Sequence, residues 1–390
     1  MKNIPSVPWY ILPVIVFAQF AGTSLWFAGN AILVDLSLAF DLGNKAVSDL
    51  TSAVQFGFIA GTLVFATLSI ADRYSPTKVF LTSSILAALF NILIFVLPVG
   101  TLSLLIYRFL TGFFLAGIYP VGMKIAADWY AKKLGKALGF LLGALVLGTA
   151  FPHLVRSLGS SYSWQMVLTS ISVLAVIGGF TLFFLVPDGP HRSRGSRLRL
   201  TAFMEIFRVR NFRSAALGYF GHMWELYTFW AFIPLLIADY NRINSQVLPE
   251  SYWSFIIIAI GALGCSGGGL LAIRLGSARV AFWQLAISGG CCVSSLFLFE
   301  WNLALFIGIM LLWGICVIGD SPQFSTLVAQ TAPVEYIGTA LTITNCIGFT
   351  ITIVSLQVVG FLVLHFDLQN VLIVLVLGPI LGLAFLRRLL

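Results

Sequence analysis

Long apolar stretches alternate with short breaks of glycine, proline or charge along the whole 390-residue chain. The apolar runs fall at about 8–33, 48–71, 79–98, 101–128, 134–158, 163–186, 213–239, 252–273, 279–299, 302–325, 337–363 and 367–388. A hydrocarbon layer about 30 Å thick takes about 20 apolar residues as helix and offers no water to an unpaired backbone group, so each run predicts one spanning helix. Twelve spans place both termini on one side. The first run is too long for a signal-peptide core and has no small-x-small cleavage site, so it is expected to remain as span 1. Composition removes the alternatives: 59% of the residues are hydrophobic and only 9% charged. A soluble globule of this length cannot cover its surface with so few charges, which excludes secreted, disordered, fibrous and soluble-enzyme classes.

The net charge of +8 changes meaning once the charges are located. Seventeen basic residues fall on the side of the termini: Lys2, Arg73, Lys78, Lys132, Lys133, Lys136, Arg192, Arg194, Arg197, Arg199, Arg208, Arg210, Arg213, Arg274, Arg279, Arg387 and Arg388. Only Lys45, Arg156 and Arg242 fall on the other side, while Arg108 and Lys124 lie inside spans. The positive-inside rule therefore predicts cytoplasmic termini, in a bacterial inner membrane, and the charge is an orientation signal rather than a nucleic-acid surface. The longest hydrophilic stretch, Pro187 to Arg213, carries seven arginines and two acids. It divides the chain into a six-span bundle over 1–186, a basic cytoplasmic linker over 187–212 suited to anionic lipid heads, and a second six-span bundle over 213–390. Cys265, Cys291, Cys292, Cys316 and Cys346 sit in apolar runs without metal-type or disulfide spacing, and read as small core residues.

The two halves repeat. Trp26 and Asp35 recur as Trp230 and Asp239, offset by 204. The turn Ala71 to Val79 recurs as Ala272 to Val280, Pro120 as Pro322, and Gly135-Lys136-Ala137-Leu138 as Gly338-Thr339-Ala340-Leu341, at offsets of 201, 202 and 203. Four markers in one order predict an all-α fold of two pseudo-symmetric six-helix bundles with a solute cavity between them.

With the motifs Ala71-Asp72-Arg73 with Lys78, Arg108-Phe109-Leu110-Thr111-Gly112, Tyr119-Pro120 and Ala127-Asp128-Trp129 in this layout, the chain resembles the major facilitator superfamily of secondary transporters. The loop between spans 2 and 3 is similar to that family's G-x-L-A-D-R-x-G-R-K signature, with Leu68, Ser75 and Pro76 departing from it. Span 4 is similar to its R-x-x-x-G motif, and span 5 lacks the Gly-Pro-x-x-Gly-Gly arrangement of drug antiporters. The resemblance implies alternating access and a gate at the signature loop. There Asp72, Arg73, Lys78 and Asp128 are the candidate gating residues, Arg73 reaching Asp128, with Lys124 turned toward the same cluster.

Ionisable side chains deep in a span cost about 2.5–3.5 kcal/mol, so each predicts a partner or a wet cavity. Arg108 in span 4 and Glu225 in span 7 reach similar depth from opposite ends and are expected to face each other across the cavity. Gly112, Leu115 and Tyr119 share the Arg108 face. His222, three positions from Glu225, is expected to pair with it as a titratable couple or as a packing lock. Gln19, Thr23, Trp26 and Asn30 form a polar stripe on span 1, yet the repeat aligns Glu225 with Ala21 and His222 with Ala18. Either the halves differ in helix rotation, or one polar set packs against a neighbour. Asp320 and Gln323 are expected in a cytoplasmic vestibule, His153 and Arg156 as an interfacial anchor, and Asp35 and Asp239 as capping or extracellular-gate groups.

No phosphate loop, metal spacing, nucleophile–base pair or soluble output domain is present in the sequence, so no cofactor and no enzyme activity are expected. The expected function is secondary transport of a small organic anion or zwitterion by a monomer, driven by protons or by the solute's own gradient. The candidate substrate or coupling groups are Arg108, Glu225, His222, Gln19, Trp26, Asn30 and Tyr119, with Trp224 and Tyr227 adding aromatic lining. Export of an amphipathic compound is the alternative within the class; a transport-inactive scaffold or solute sensor is the alternative outside it.

Overall fold

The computed structural model describes residues 7–43, 45–97, 100–130, 134–159, 163–192 and 200–390. Lys2, Lys132, Lys133, Arg194, Arg197 and Arg199 of the charge pattern lie outside the described residues. The described chain is helical, without a strand, and ten of its helices are long and apolar enough to cross a membrane. The other two spans are irregular in opposite ways. Span 1 is broken into Ile11–Thr23, Ala28–Ala31 and Leu33–Phe40, whereas span 7 is one helix, Arg210–Asn244, which continues through Pro234.

The break in span 1 has a local cause. The Thr23 and Ser24 hydroxyls turn back to donate to the Gln19 and Ala21 carbonyls, at 2.8 and 2.6 Å, and this competes with the helical ladder. In spans 4 and 10 the break lies where the repeat put its prolines. Span 4 is Thr101–Leu115 followed by Tyr119–Trp129, and span 10 is Leu303–Gly319 followed by Ser321–Thr331. Pro120 and Pro322 stand in the first turn of each second segment, where a missing N–H costs least.

Packing repeats as well. Span 1 lies against spans 5 and 6, span 2 against span 4, and span 3 against span 6; span 7 lies against spans 11 and 12, span 8 against span 10, and span 9 against span 12. The broadest contacts between the halves join span 2, Ala46–Thr67, with span 11, Ile337–Leu362, and span 5, Leu134–Ser157, with span 8, Glu250–Ala259 and Gly261–Leu275. A pseudo-twofold exchanges one of these contacts with the other. A further echo is steric. A Cβ on Gly57 or Gly112 would run into the backbone of the facing span, and so would one on Gly264 or Gly314. Gly112 and Gly314 are separated by 202 positions, the offset of the prolines. Small residues at these crossings let the backbones approach closely, which is how helices associate where lipid is as apolar as leucine.

Between the halves, the side-chain hydrogen bonds and ring contacts among the described residues lie at mid-depth or toward the side opposite the linker, here called the far side. Gln357 Nε2 donates to Asp49 Oδ1 at 3.1 Å and to Ser52 Oγ at 3.0 Å, and Lys45 lies 5.4 Å from the Phe361 ring centroid. Toward the linker side, a Cβ on Gly135, Gly139 or Gly143 of span 5, or on Gly267 or Gly269 of span 8, would meet open space.

Candidate functional site

At mid-depth the halves meet on an aromatic seam. Trp26, in the unwound turn of span 1, stacks on Tyr227 of span 7 at 5.8 Å and on Phe349 of span 11 at 5.6 Å, and lies 4.7 Å from Phe58 of span 2. Phe58 and Phe349 meet edge to face at 4.8 Å, and Phe27 meets Trp230 at 6.2 Å. Offset and edge-to-face pairs of this kind are worth about 0.5–1.5 kcal/mol beyond their buried area. Spans 2, 7 and 11 thus converge on Trp26 of span 1. Tyr119 of span 4 is partly exposed, and Tyr219 Oη of span 7 donates to Asn345 Oδ1 of span 11 at 2.7 Å. Trp224, expected in the same lining, points away: its indole donates to the Val374 carbonyl of span 12.

Polar atoms flank the seam. Asn30 Nδ2 donates to Thr51 Oγ1 at 2.7 Å. Its own Oδ1, the Trp26 and Trp230 indole nitrogens and both ends of the Gln55 amide are buried without a hydrogen-bond partner among the described residues. Gln55 stands one turn from Thr51 and three residues from Phe58, so it shares their face of span 2. Buried amides and indoles are rarely left unpaired, and a set of them around one aromatic cluster is the lining that water or a polar solute would satisfy. Gln19 lies elsewhere, wedged within the first half against the notch of Gly122, its amide also unpartnered.

Arg108 does not face Glu225 across a cavity. It is fully buried in its own half, where Nη2 donates to the Trp26 carbonyl at 2.6 Å and Nη1 to the Leu25 carbonyl at 3.4 Å and Asn91 Oδ1 at 3.2 Å. Asn91 in turn donates to Ser172 Oγ at 3.0 Å. The carbonyls exposed by the break in span 1 hold the guanidinium, and the negative end of the first helical segment adds to their pull. No carboxylate pairs with Arg108 among the described residues.

The second half buries carboxylates. Glu225 Oε1 accepts from Trp313 Nε1 at 2.6 Å and from Cys292 Sγ at 3.3 Å, and Oε2 accepts from Ser288 Oγ at 3.0 Å. The expected Glu225–His222 pair is not formed; His222 Nδ1 instead lies 2.8 Å from Asp320 Oδ1. Both groups are buried, so Asp320 sits at the break of span 10 inside the bundle rather than in an open vestibule. The two polar faces of spans 1 and 7 fail to superimpose because Glu225 and His222 turn toward spans 9 and 10, whereas Trp26 and Asn30 turn toward span 2 and the seam.

On the linker side the signature loop is organised around Lys124. Its Nζ lies 2.9 Å from Asp72 and 3.8 Å from Asp128. Arg73 and Lys78 are exposed and make no ion pair among the described residues, so the expected Arg73–Asp128 bridge is replaced by Lys124. The start of the linker is strapped to this cluster: the Trp129 indole donates to the Pro187 carbonyl, Ser75 Oγ to Asp188, and Arg192 both to Asp188 and to the Tyr74 carbonyl. On the far side Asp35 pairs with Arg156 at 3.0 Å, and His153 is buried in span 5 rather than anchored at an interface.

Twelve spans in two related bundles, meeting on an aromatic seam, define a membrane carrier architecture. The sequence pattern of the Major Facilitator Superfamily matches residues 14–357, and the chain belongs to that family, a class of transporters and not of enzymes. A Haemophilus influenzae protein named for metabolite transport is 29% identical over 167 residues, which span 41% of this chain and 37% of that relative. Among solved structures, the xylose transporter XylE from E. coli, in a partially occluded inward-open conformation, superimposes with a TM-score of 0.74 at 13% identity, over 98% of this chain and 99% of that one. A mutant of the nucleoside transporter NupG gives 0.73 at 14% identity, over 97% and 99%. An occupied, inward-facing bacterial homologue of the human lysosomal transporter Spinster gives 0.72 at 14%, over 97% and 96%. These likenesses establish the fold.

The residues that sequence reading missed are mostly neutral: Asn91, Phe58, Gln55, Phe349, Trp313 and Ser288. Asn91 alone left a signal, as the single amide of span 3. Cys292, read as plain core, is a donor to Glu225.

Proposed function

We propose that this protein is a secondary transporter that carries a small neutral or zwitterionic organic solute with an apolar face, through alternating exposure of the seam around Trp26. The observation that carries this reading is the set of unpartnered buried polar atoms, on Trp26, Asn30, Gln55 and Trp230, beside four converging aromatic rings. Such a lining offers hydrogen bonds and stacking without net charge. The expectation of an anionic solute rested on a free cavity arginine, and Arg108 is engaged by span 1. Glu225, buried without a cationic partner among the described residues, is the proposed proton-coupling group, and the Asp72–Lys124–Asp128 cluster the proposed gate. The moving units are residues 1–186 and 213–390, joined by the 187–212 linker.

Charge placement supports cytoplasmic termini in a bacterial inner membrane, which makes the linker side the inside. The closed far side and the open glycine faces near the linker then correspond to an inward-facing state. Two steps test this. A thermal-shift screen of the purified protein against neutral, zwitterionic and anionic metabolites identifies a solute, since a bound ligand stabilises the folded form by mass action. Uptake of that solute is then measured in proteoliposomes carrying Ser52→Cys with Gln357→Cys, positions whose side chains now touch. Cross-linking is expected to arrest uptake and reduction to restore it; undiminished uptake by the cross-linked protein would refute alternation through this contact.

A further inference from the structure

A cavity lies away from the seam, on the outer surface of the second half, between spans 7, 11 and 12. It encloses about 310 Å³ and is almost wholly apolar. One wall is Leu217, Phe220 and Trp224 of span 7; the other is Leu377, Leu381 and Phe385 of span 12, with Leu377 and Leu381 half exposed at its mouth. Its floor is bare backbone, because Gly221 and Gly378 meet where neither tolerates a side chain.

Both walls run into arginine at the linker end. Positions 210, 213, 217, 220 and 224 follow one another by three and four residues, so Arg210 and Arg213 extend the face of span 7 that lines the groove. On span 12, Arg388 follows Phe385 by three and lies 5.6 Å from its ring centroid. The closing turn Arg387–Leu389 packs against span 7, which brings the two walls' arginines to one end of the cavity. All three arginines are exposed, and none makes an ion pair among the described residues. The neighbouring acid, Glu205 on the short helix Phe203–Arg208, is exposed and engages none of them.

We propose that this groove is a binding site for one anionic glycerophospholipid, its acyl chain lying between spans 7 and 12 and its phosphate between Arg210, Arg213 and Arg388. An apolar trough about 10 Å long along span 7 that ends in unpaired cations at the membrane surface complements the amphipathic shape and charge of that lipid. A zwitterionic lipid fills the trough equally well but gains less from the arginines. Occupancy wedges spans 7 and 12 at the end of span 7 that leads from the linker.

The test is native mass spectrometry of the purified full-length chain, equilibrated with equal amounts of dioleoylphosphatidylglycerol and dioleoylphosphatidylcholine. The parent is expected to retain one phosphatidylglycerol preferentially. The triple change Arg210→Gln, Arg213→Gln and Arg388→Gln is expected to lower that retention by about fivefold per arginine. Leu381→Trp, which fills the mouth of the groove and leaves every charge in place, is expected to abolish it. Thermal unfolding of both variants in detergent without lipid, close to the parent's, separates loss of the site from loss of the fold. Undiminished phosphatidylglycerol in the arginine variant overturns the proposal; so does retention by Leu381→Trp, which would mean diffuse adsorption to basic residues rather than a seated lipid.

Discussion

The two halves share an ancestry of form but bury opposite charges, and they hold them by different means. In the first half a cation, Arg108, is held by backbone carbonyls that exist only because span 1 is broken at Trp26. In the second half span 7 is continuous and has no carbonyl to offer, so the buried charge is a carboxylate, Glu225, supplied by side-chain donors from spans 9 and 10. Broken helix and arginine go together, as do unbroken helix and glutamate. The difference teaches that a repeat can keep its packing while exchanging the sign of its buried charge, provided the local backbone changes with it. It also makes the first half mechanically special: Arg108 ties span 4 to the turn that presents Trp26 to the seam.

The comparison is broken most severely by removing one member of the His222–Asp320 pair. His222→Ala leaves Asp320 buried without its partner, and loss of about 3–5 kcal/mol is expected. It is checked by the midpoint of thermal unfolding in detergent, with Asp320→Asn in the His222→Ala background expected to recover part of the loss. Next comes Arg108→Met, which leaves the Leu25 and Trp26 carbonyls and Asn91 Oδ1 without their donor, for about 2–3 kcal/mol. Because those carbonyls are on the Trp26 turn, the same variant is expected to alter quenching of Trp26 fluorescence; an unchanged spectrum would remove the tie between Arg108 and the seam.

Much of the fold was legible in the letters, and the reasons are physical. A bilayer forces long apolar runs, so the twelve spans were readable, and Pro120 and Pro322 were readable as repeat mates; that each marks a break in its span emerged from the structure. The candidate site was less so. Depth along a helix placed Arg108 and Glu225 at similar levels, but depth says nothing about which neighbour a side chain faces. The sequence could not show that span 1 unwinds at residues 24–27, and that unwinding is what captures Arg108 inside its own half. Likewise a three-residue spacing puts His222 and Glu225 on one face of span 7, yet span 10, breaking at Asp320, gave His222 a better partner. Lys124 was read as turned toward the signature loop, where it meets Asp72 and Asp128; Arg73 was given a partner, Asp128, that it does not have, because a flexible exposed side chain loses little by remaining in water.

Glu225→Gln probes the second half more gently. A glutamine carbonyl still accepts from Trp313, and its amide can donate to Ser288, so stability is expected to change by no more than about 1 kcal/mol. The change expected is functional. In the parent, titration of Glu225 alters the charge 2.6 Å from the Trp313 indole and therefore its emission as pH is varied. That pH-dependent step is expected to vanish in both Glu225→Gln and Trp313→Phe. If the step survives in Glu225→Gln, Glu225 does not exchange a proton with solution and cannot couple transport to one.

The smallest effect sharpens the comparison at the far ends of spans 1 and 7. Asp35 and Asp239 are repeat mates, but Asp35 reaches across to Arg156 of span 5, while Asp239 pairs with Arg242 three residues along its own helix. Both pairs are partly exposed, so neither is worth more than about 1 kcal/mol. The bridge that ties span 1 to span 5 restrains two helices at once, and Asp35→Asn is expected to cost about 0.5 kcal/mol, more at low salt than at high. Asp239→Asn is expected to cost less than that, about 0.3 kcal/mol or below, since a local pair adds little to a helix already fixed by packing. Thermal midpoints of the two variants at low and high salt decide it. Equal losses would mean that the far-side bridge in the first half is no more than a surface pair, and that the asymmetry of the halves is confined to their buried charges.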